Sequence, residues 1–288
     1  MILSKFVLSF IRTVTSIVTA VILLIVCVDE KDVPKPDGAE IVSQKRYTLL
    51  EYEATNQGLT NDGTYFYFSG KWKLAKASIE TGKIELMNTE AIPEELQEIG
   101  CDHIGGLSYY NGIIYAAIED GPDYERSFIG LYDSETLEFT GRYYEVPHEL
   151  HLEGVPWCAV DVENNMLYTA EWSHAKVLNR FNLDTLELVD TLPLTGGDGE
   201  IDRIQGGEMH NGKLYLACDE ENDQKRILTV DVKTGKIETA FTRNIGVVFE
   251  AEDMTVLETD DGPIFYVLDR GERRKTINLT GYKMTELN

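Results

Sequence analysis

Cysteine is scarce in this chain. Of four in 288 residues, only Cys101, Cys158 and Cys218 lie outside its one apolar run, and three thiols make no disulfide framework. Cys158 and Cys218 fall in expected inner strands, so buried free thiols are expected, with a single bridge left open. No Cys-x-x-Cys pair and no His-x-x-x-His spacing occurs, which excludes the common zinc-finger patterns. Basic residues are few as well. Lys+Arg number 26 against 50 Asp+Glu, a formal net charge of -24, so the field repels phosphate backbones and argues against nucleic acid as a partner while favouring cations or basic ligands.

The apolar run is of marginal length. Thr13 to Val28 are sixteen uncharged residues, short for a membrane span and long for a signal core. Lys5 and Arg12 precede the run and Asp29, Glu30 and Asp32 follow it, so the N-terminus is expected in the cytoplasm and the rest outside. No small-x-small cleavage site follows, and Val26 is branched where a lipoprotein signal wants a small residue. Residues 1–28 are therefore expected to form an N-terminal hydrophobic helix acting as an uncleaved signal anchor, with a cleaved signal peptide as the alternative. Either way the remainder is extracytoplasmic, tethered or secreted. Residues 29–44, with Pro34, Pro36 and Gly38, read as a linker, and 45–288 as one domain.

That domain is a repeat. Ile104 to Tyr115 and Ile204 to Tyr215 each spell strand, Asn-Gly turn, strand ending in Tyr. A small residue nine positions before a Tyr recurs at Gly58, Gly106, Ala159 and Gly206. Units begin near Gln57, Gly105, Cys158, Gln205 and Glu252, about 47 to 53 residues apart, and carry later turn signals at Thr81, Thr136, Thr185 and Thr234. This period with four short strands per unit predicts an all-β, five-bladed β-propeller, with six blades as the alternative if the longest interval hides another sheet. The fifth unit stops one strand short, so a lone strand at 47–53 is expected to close the ring. Alternation places Leu107, Ile114, Leu131, Leu214, Leu216 and Leu228 between sheets.

In a propeller the starts of first strands and the ends of second strands converge on one mouth of the channel. Those positions hold Gln57; Asp102, His103, Glu119 and Asp120; Trp157, Cys158 and Glu171; Gln205, Asp219 and Glu220; and Glu250, Glu252, Asp253, Asp269 and Arg270. A small molecule or divalent cation is the expected partner there. Gln57, Asp102, Glu119, Trp157, Glu171, Gln205, Asp219 and Arg270 are the candidate ligand contacts. Glu250, Glu252, Asp253 and Asp269 form a carboxylate set suited to a hard cation such as calcium, or an ion-pair network with Arg270. Trp157 either stacks on a ligand or plugs the channel. His148, Glu149, His151 and Glu153 read as exposed loop spacing, while His174 can reach the mouth.

These repeats resemble the quinoprotein-like and lactonase-like propellers over residues 47–288. Asn56-Gln57-Gly58-Leu59, Asp62-Gly63-Thr64-Tyr65 and Ser69-Gly70 are similar to the first blade of the five-bladed bacterial and plant glutaminyl cyclases. Those enzymes carry an acidic residue in the second-blade copy of this position, where this chain has Gly105, with Glu119 the nearest substitute. Glu250 to Thr255 resembles a phrase of phytase-like and lactonase-like propellers whose acidic residues hold calcium. Three functions follow as expectations: a membrane-tethered binding protein for a small ligand or cation; a hydrolase or cyclase with Glu252 or Asp253 as general base and His103 as acid; and a non-catalytic interaction platform.

Overall fold

The computed structural model describes residues 35–47, 51, 53–121, 123–197, 199–220, 224–245, 249–271 and 276–285. The expected N-terminal helix lies outside them, and among the described residues no helix is long and apolar enough to cross a membrane.

The described residues form five four-stranded antiparallel sheets. The closing strand β1 (Ala39–Tyr47) comes first in the chain. Blade one is β2 (Leu59–Asn61), β3 (Tyr65–Gly70), β4 (Lys73–Ser78) and β5 (Ile84–Asn88). Blade two is β6 (His103–Tyr110), β7 (Ile113–Glu119), β8 (Ser127–Asp133) and β9 (Phe139–Val146). Blade three is β10 (Ala159–Asp161), β11 (Met166–Thr169), β12 (Val177–Asn182) and β13 (Leu188–Pro193). Blade four is β14 (Ile204–His210), β15 (Lys213–Cys218), β16 (Gln224–Asp231) and β17 (Ile237–Asn244). Blade five joins β18 (Glu250–Leu257), β19 (Ile264–Arg270) and β20 (Ile277–Met284) to β1.

The ring is five-bladed, and the longest interval in the repeat holds a loop with a short 3-10 turn at His148–Leu150 in place of a sixth sheet. An N-terminal strand does close it, but the strand is Ala39–Tyr47 instead of 47–53. Only Tyr47 is shared, and residues 48–50 and 52 lie outside the described set. The reason is exposure. As an outermost strand β1 buries only its two ends, Ala39 and Tyr47, so it lacks the apolar alternation that marks inner strands and reads as spacer.

Local chemistry explains the repeating unit. Asn111-Gly112 and Asn211-Gly212 both hold positive φ, the conformation of the tight hairpin turn. In the third hairpins, Asp133, Asn182 and Asp231 each accept two backbone N–H groups from the following turn. Apolar side chains then fill the seams between blades. Tyr67 and Leu74 pack with Ile104, Leu107 and Ile114, and Tyr215 and Phe241 pack with Met254 and Phe265. The six leucine and isoleucine positions expected in the core are all buried.

Two side chains fill the middle of the ring. Trp157 and Asp253 are wholly buried. A Cβ on Gly206 would fall 1.9 Å from Asp253 Oδ1, and one on Gly207 would fall 2.9 Å from the Trp157 ring. The glycine pair of blade four is therefore the space these two side chains occupy.

Candidate functional site

Every blade contributes to the wall of a cavity of about 410 Å³. Blade one gives Gln57, blade two His103, Gly105, Gly106 and Glu119, and blade four Gln205. Blade five gives Glu250, Glu252 and Arg270. Tyr124, Glu153, Pro156 and Trp172 complete it from the loops of blades two and three.

The centre of the wall is a hydrogen-bonded row. His103 opens β6 and Glu119 ends β7, and the strand register sets them directly opposite each other. His103 Nδ1 lies 2.6 Å from Glu119 Oε1, and its Nε2 lies 2.9 Å from Gln57 Oε1. Glu119, and not the adjacent Asp102, therefore orients the imidazole. Asp102 instead pairs with Lys71 at 2.6 Å on the surface.

The fifth blade repeats the arrangement with opposite charges. Glu250 and Arg270 are register partners across β18 and β19, and the Arg270 guanidinium donates to Glu250 and also lies 3.2 Å from Glu252 Oε1. Glu252 is buried, and its carboxyl is pushed well above the usual carboxylate range because desolvation outweighs a guanidinium shared with Glu250.

The remaining carboxylates lie away from the cavity wall. Asp219 takes Arg203 at 2.5 Å, Lys225 at 2.8 Å and the Ala251 N–H. Asp269 takes the fully buried Arg243 at 2.6 Å, while burial still pushes its carboxyl up. Asp253 accepts the backbone N–H groups of Leu59 and Leu107. Glu171 accepts the Glu153 N–H at 3.0 Å. Among the described residues no group of three or more His, Cys, Asp or Glu side chains is arranged to hold a metal ion. Glu250, Glu252 and Asp269 face guanidinium groups and Asp253 faces N–H donors. His174 sits on the surface against Glu200, and Cys101, Cys158 and Cys218 are free and buried.

Two parts of the site were not read from sequence. Trp172, not Trp157, lines the cavity, and its position directly after Glu171 at the end of a second strand was the available signal. In the loop 147–156, His148, Glu149 and Glu153 are exposed as expected, but Glu153 and Pro156 also line the cavity and His151 is buried. His151 is fully buried with Nε2 2.8 Å from Thr169 Oγ1, and burial pushes its pKa down to about 4. Ser173 donates to Glu153, and Pro156 accepts the Gly106 N–H at 2.8 Å.

No protein-family model and no curated protein matches the chain. Solved structures do match. A glutaminyl cyclase of Myxococcus xanthus aligns at TM-score 0.58 and 13% identity, over 86% of this chain and 97% of that one. The RS223 β-xylosidase aligns at 0.55 and 13%, over 85% and 96%. A GH43_1 enzyme of Xanthomonas citri aligns at 0.54 and 10%, over 82% and 89%. At these identities the likeness is one of fold, and it agrees with the propeller resemblance carried by the repeats.

Proposed function

We propose that this chain binds a small polar molecule in the cavity at the channel mouth. The observation that carries this reading is the convergence of residues from all five blades on a recess of about 410 Å³, with Gln57, His103, Glu119, Gln205, Glu252 and Arg270 in its wall. Ligand-observed NMR with lactones, phosphate esters and N-terminal glutaminyl peptides tests it. At least one class should bind wild type and lose binding in Gln57→Ala. Binding by none of them, or binding unaffected by the substitution, removes the reading. Calcium belongs in the same series, and a melting shift reversed by chelator would add a cation to the pocket. Residues 1–28 are proposed to hold this pocket outside a membrane, which protease treatment of intact cells checks by digesting only an outward-facing chain.

The row Glu119–His103–Gln57 favours a second, catalytic reading, that of a glutaminyl-cyclase-like enzyme. Here the roles run opposite to those expected from sequence. His103, its Nδ1 held by Glu119, acts as base through Nε2 once the substrate displaces Gln57 Oε1 from that nitrogen, and Glu252, whose proton burial favours, is the acid. On a glutaminyl terminus His103 takes a proton from the α-amine, whose nitrogen attacks the side-chain carboxamide carbon. Glu252 protonates the departing nitrogen, the C–N bond of the carboxamide breaks, and ammonia leaves. Pyroglutamate formation should fall about 100-fold in His103→Gln and in Glu252→Gln. A wild-type protein that turns over no such peptide removes the catalytic reading and leaves the binding one.

A further inference from the structure

Glu119 is only 5% exposed, and one of its two oxygens has no hydrogen-bond partner among the described residues. Oε1 faces His103, but Oε2 is buried without a hydrogen-bond partner. Glu119 lines the cavity and its Oε2 packs against Gly154, where a Cβ would fall 2.1 Å from it and 2.8 Å from the Tyr124 ring. A buried carboxylate oxygen without a donor is costly, so a ligand that brings one is favoured. The rest of the lining adds the same sign. Glu153 and Glu250 stand with Glu119, and the lining guanidinium, Arg270, is engaged by Glu250 and Glu252. Glu119, Glu153, Glu250 and Glu252 thus share the lining with one guanidinium, in a chain whose whole field is acidic.

Trp172 adds shape. The Arg203 guanidinium lies 5.1 Å from the centre of the Trp172 ring, and of the two only Trp172 lines the cavity. A ring already covered by one cation is a poor seat for a second, so it suits a planar uncharged group.

Resting on the pocket reading above, we propose that the ligand is a small organic cation: a protonated amine donating to Glu119 Oε2, joined to a planar uncharged group that lies on Trp172. The test uses three probes of one shape on the full chain: benzylammonium, benzyl alcohol and benzoate, titrated by calorimetry and followed by NMR. Benzylammonium should bind at least about tenfold more tightly than benzyl alcohol, and benzoate more weakly than both. Glu119→Gln should close the gap between ammonium and alcohol, whereas Trp172→Ala should weaken both by the same factor. Should Glu119→Gln fail to fold, wild type alone decides: nuclear Overhauser contacts must join the probe ring to Trp172 and its methylene to Tyr124. Alcohol or benzoate binding as tightly as ammonium at those contacts overturns the cation and leaves the pocket. A gap that survives Glu119→Gln also overturns it. Binding by none of the three overturns both.

Discussion

Asp253 Oδ2 accepts the backbone N–H of Leu107 at 2.9 Å and that of Leu59 at 2.8 Å. The first of these bonds spans 146 positions of chain and the second 194. The other oxygen takes the Met254 N–H at 2.7 Å. One carboxylate of blade five thereby holds the inner strands of blades one and two at the axis, in the space that Gly206 leaves open. Such closure matters in a ring, because blades one and five are the pair that the chain does not join through a neighbouring repeat.

Replacing Asp253 tests that role. Asp253→Ala strands two inner-strand N–H groups in the interior and should lower the unfolding free energy by about 3–5 kcal/mol. Asp253→Asn keeps an acceptor of the same shape and should cost less, because burial already pushes the Asp253 carboxyl well up toward its neutral form. Denaturant unfolding of both variants measures the difference. Equal losses would mean the side chain only fills space.

Glu208 should make stability depend on pH. It lies on β14 and accepts Thr255 Oγ1 at 3.1 Å, and burial pushes its pKa from 4.5 up to about 8. A raised carboxyl is stabilised by the fold in its protonated form, so the contribution is complete below about pH 4.5 and is lost as pH rises to about 8. Glu208→Gln stays neutral throughout. The difference in unfolding free energy between wild type and this variant should therefore fall across that window and be flat on either side. A difference that rises with pH, or never changes, contradicts the assignment.

Gly154→Ala should damage the pocket before it damages the ring. The added Cβ has no room beside Glu119 Oε2, and Gly154 holds φ +83°, which an alanine adopts only with strain. A loss of about 1–3 kcal/mol is expected, together with loss of probe binding under conditions where the β-sheet circular dichroism is unchanged. Unimpaired binding would show that the loop 147–156 does not shape the site.

Parts of the site were legible before any coordinates. Gln57, His103, Glu119, Gln205, Glu250, Glu252 and Arg270 were placed at the mouth by repeat register and do line the cavity. The pairing of His103 with Glu119 was not legible. A two-residue turn at Asn111-Gly112 sets Tyr110 opposite Ile113, and carrying that register back would put His103 against Asp120. The irregularity between Ile104 and Leu107 shifts it by one, and a bulge of this kind leaves only a weak trace in glycine content. Trp157 and Trp172 were likewise indistinguishable in kind. Facing glycines on blades two and four draw Trp157 into the centre, and those residues lie far away in the chain.

The sequence by itself determined the count and order of the blades, the turns between their strands and the acidic sign of the surface. These depend on residues within a few positions of one another, where alternation, Asn-Gly pairs and Asp or Asn caps act directly on the backbone. Only the tertiary structure decided which carboxylates are engaged by buried Arg243 and Lys225 and by half-buried Arg203, and which are left facing the cavity. That outcome rests on contacts between strands and between neighbouring blades. An acid at the end of a strand has the same local pattern whether its partner is a guanidinium across the sheet or a ligand in the channel.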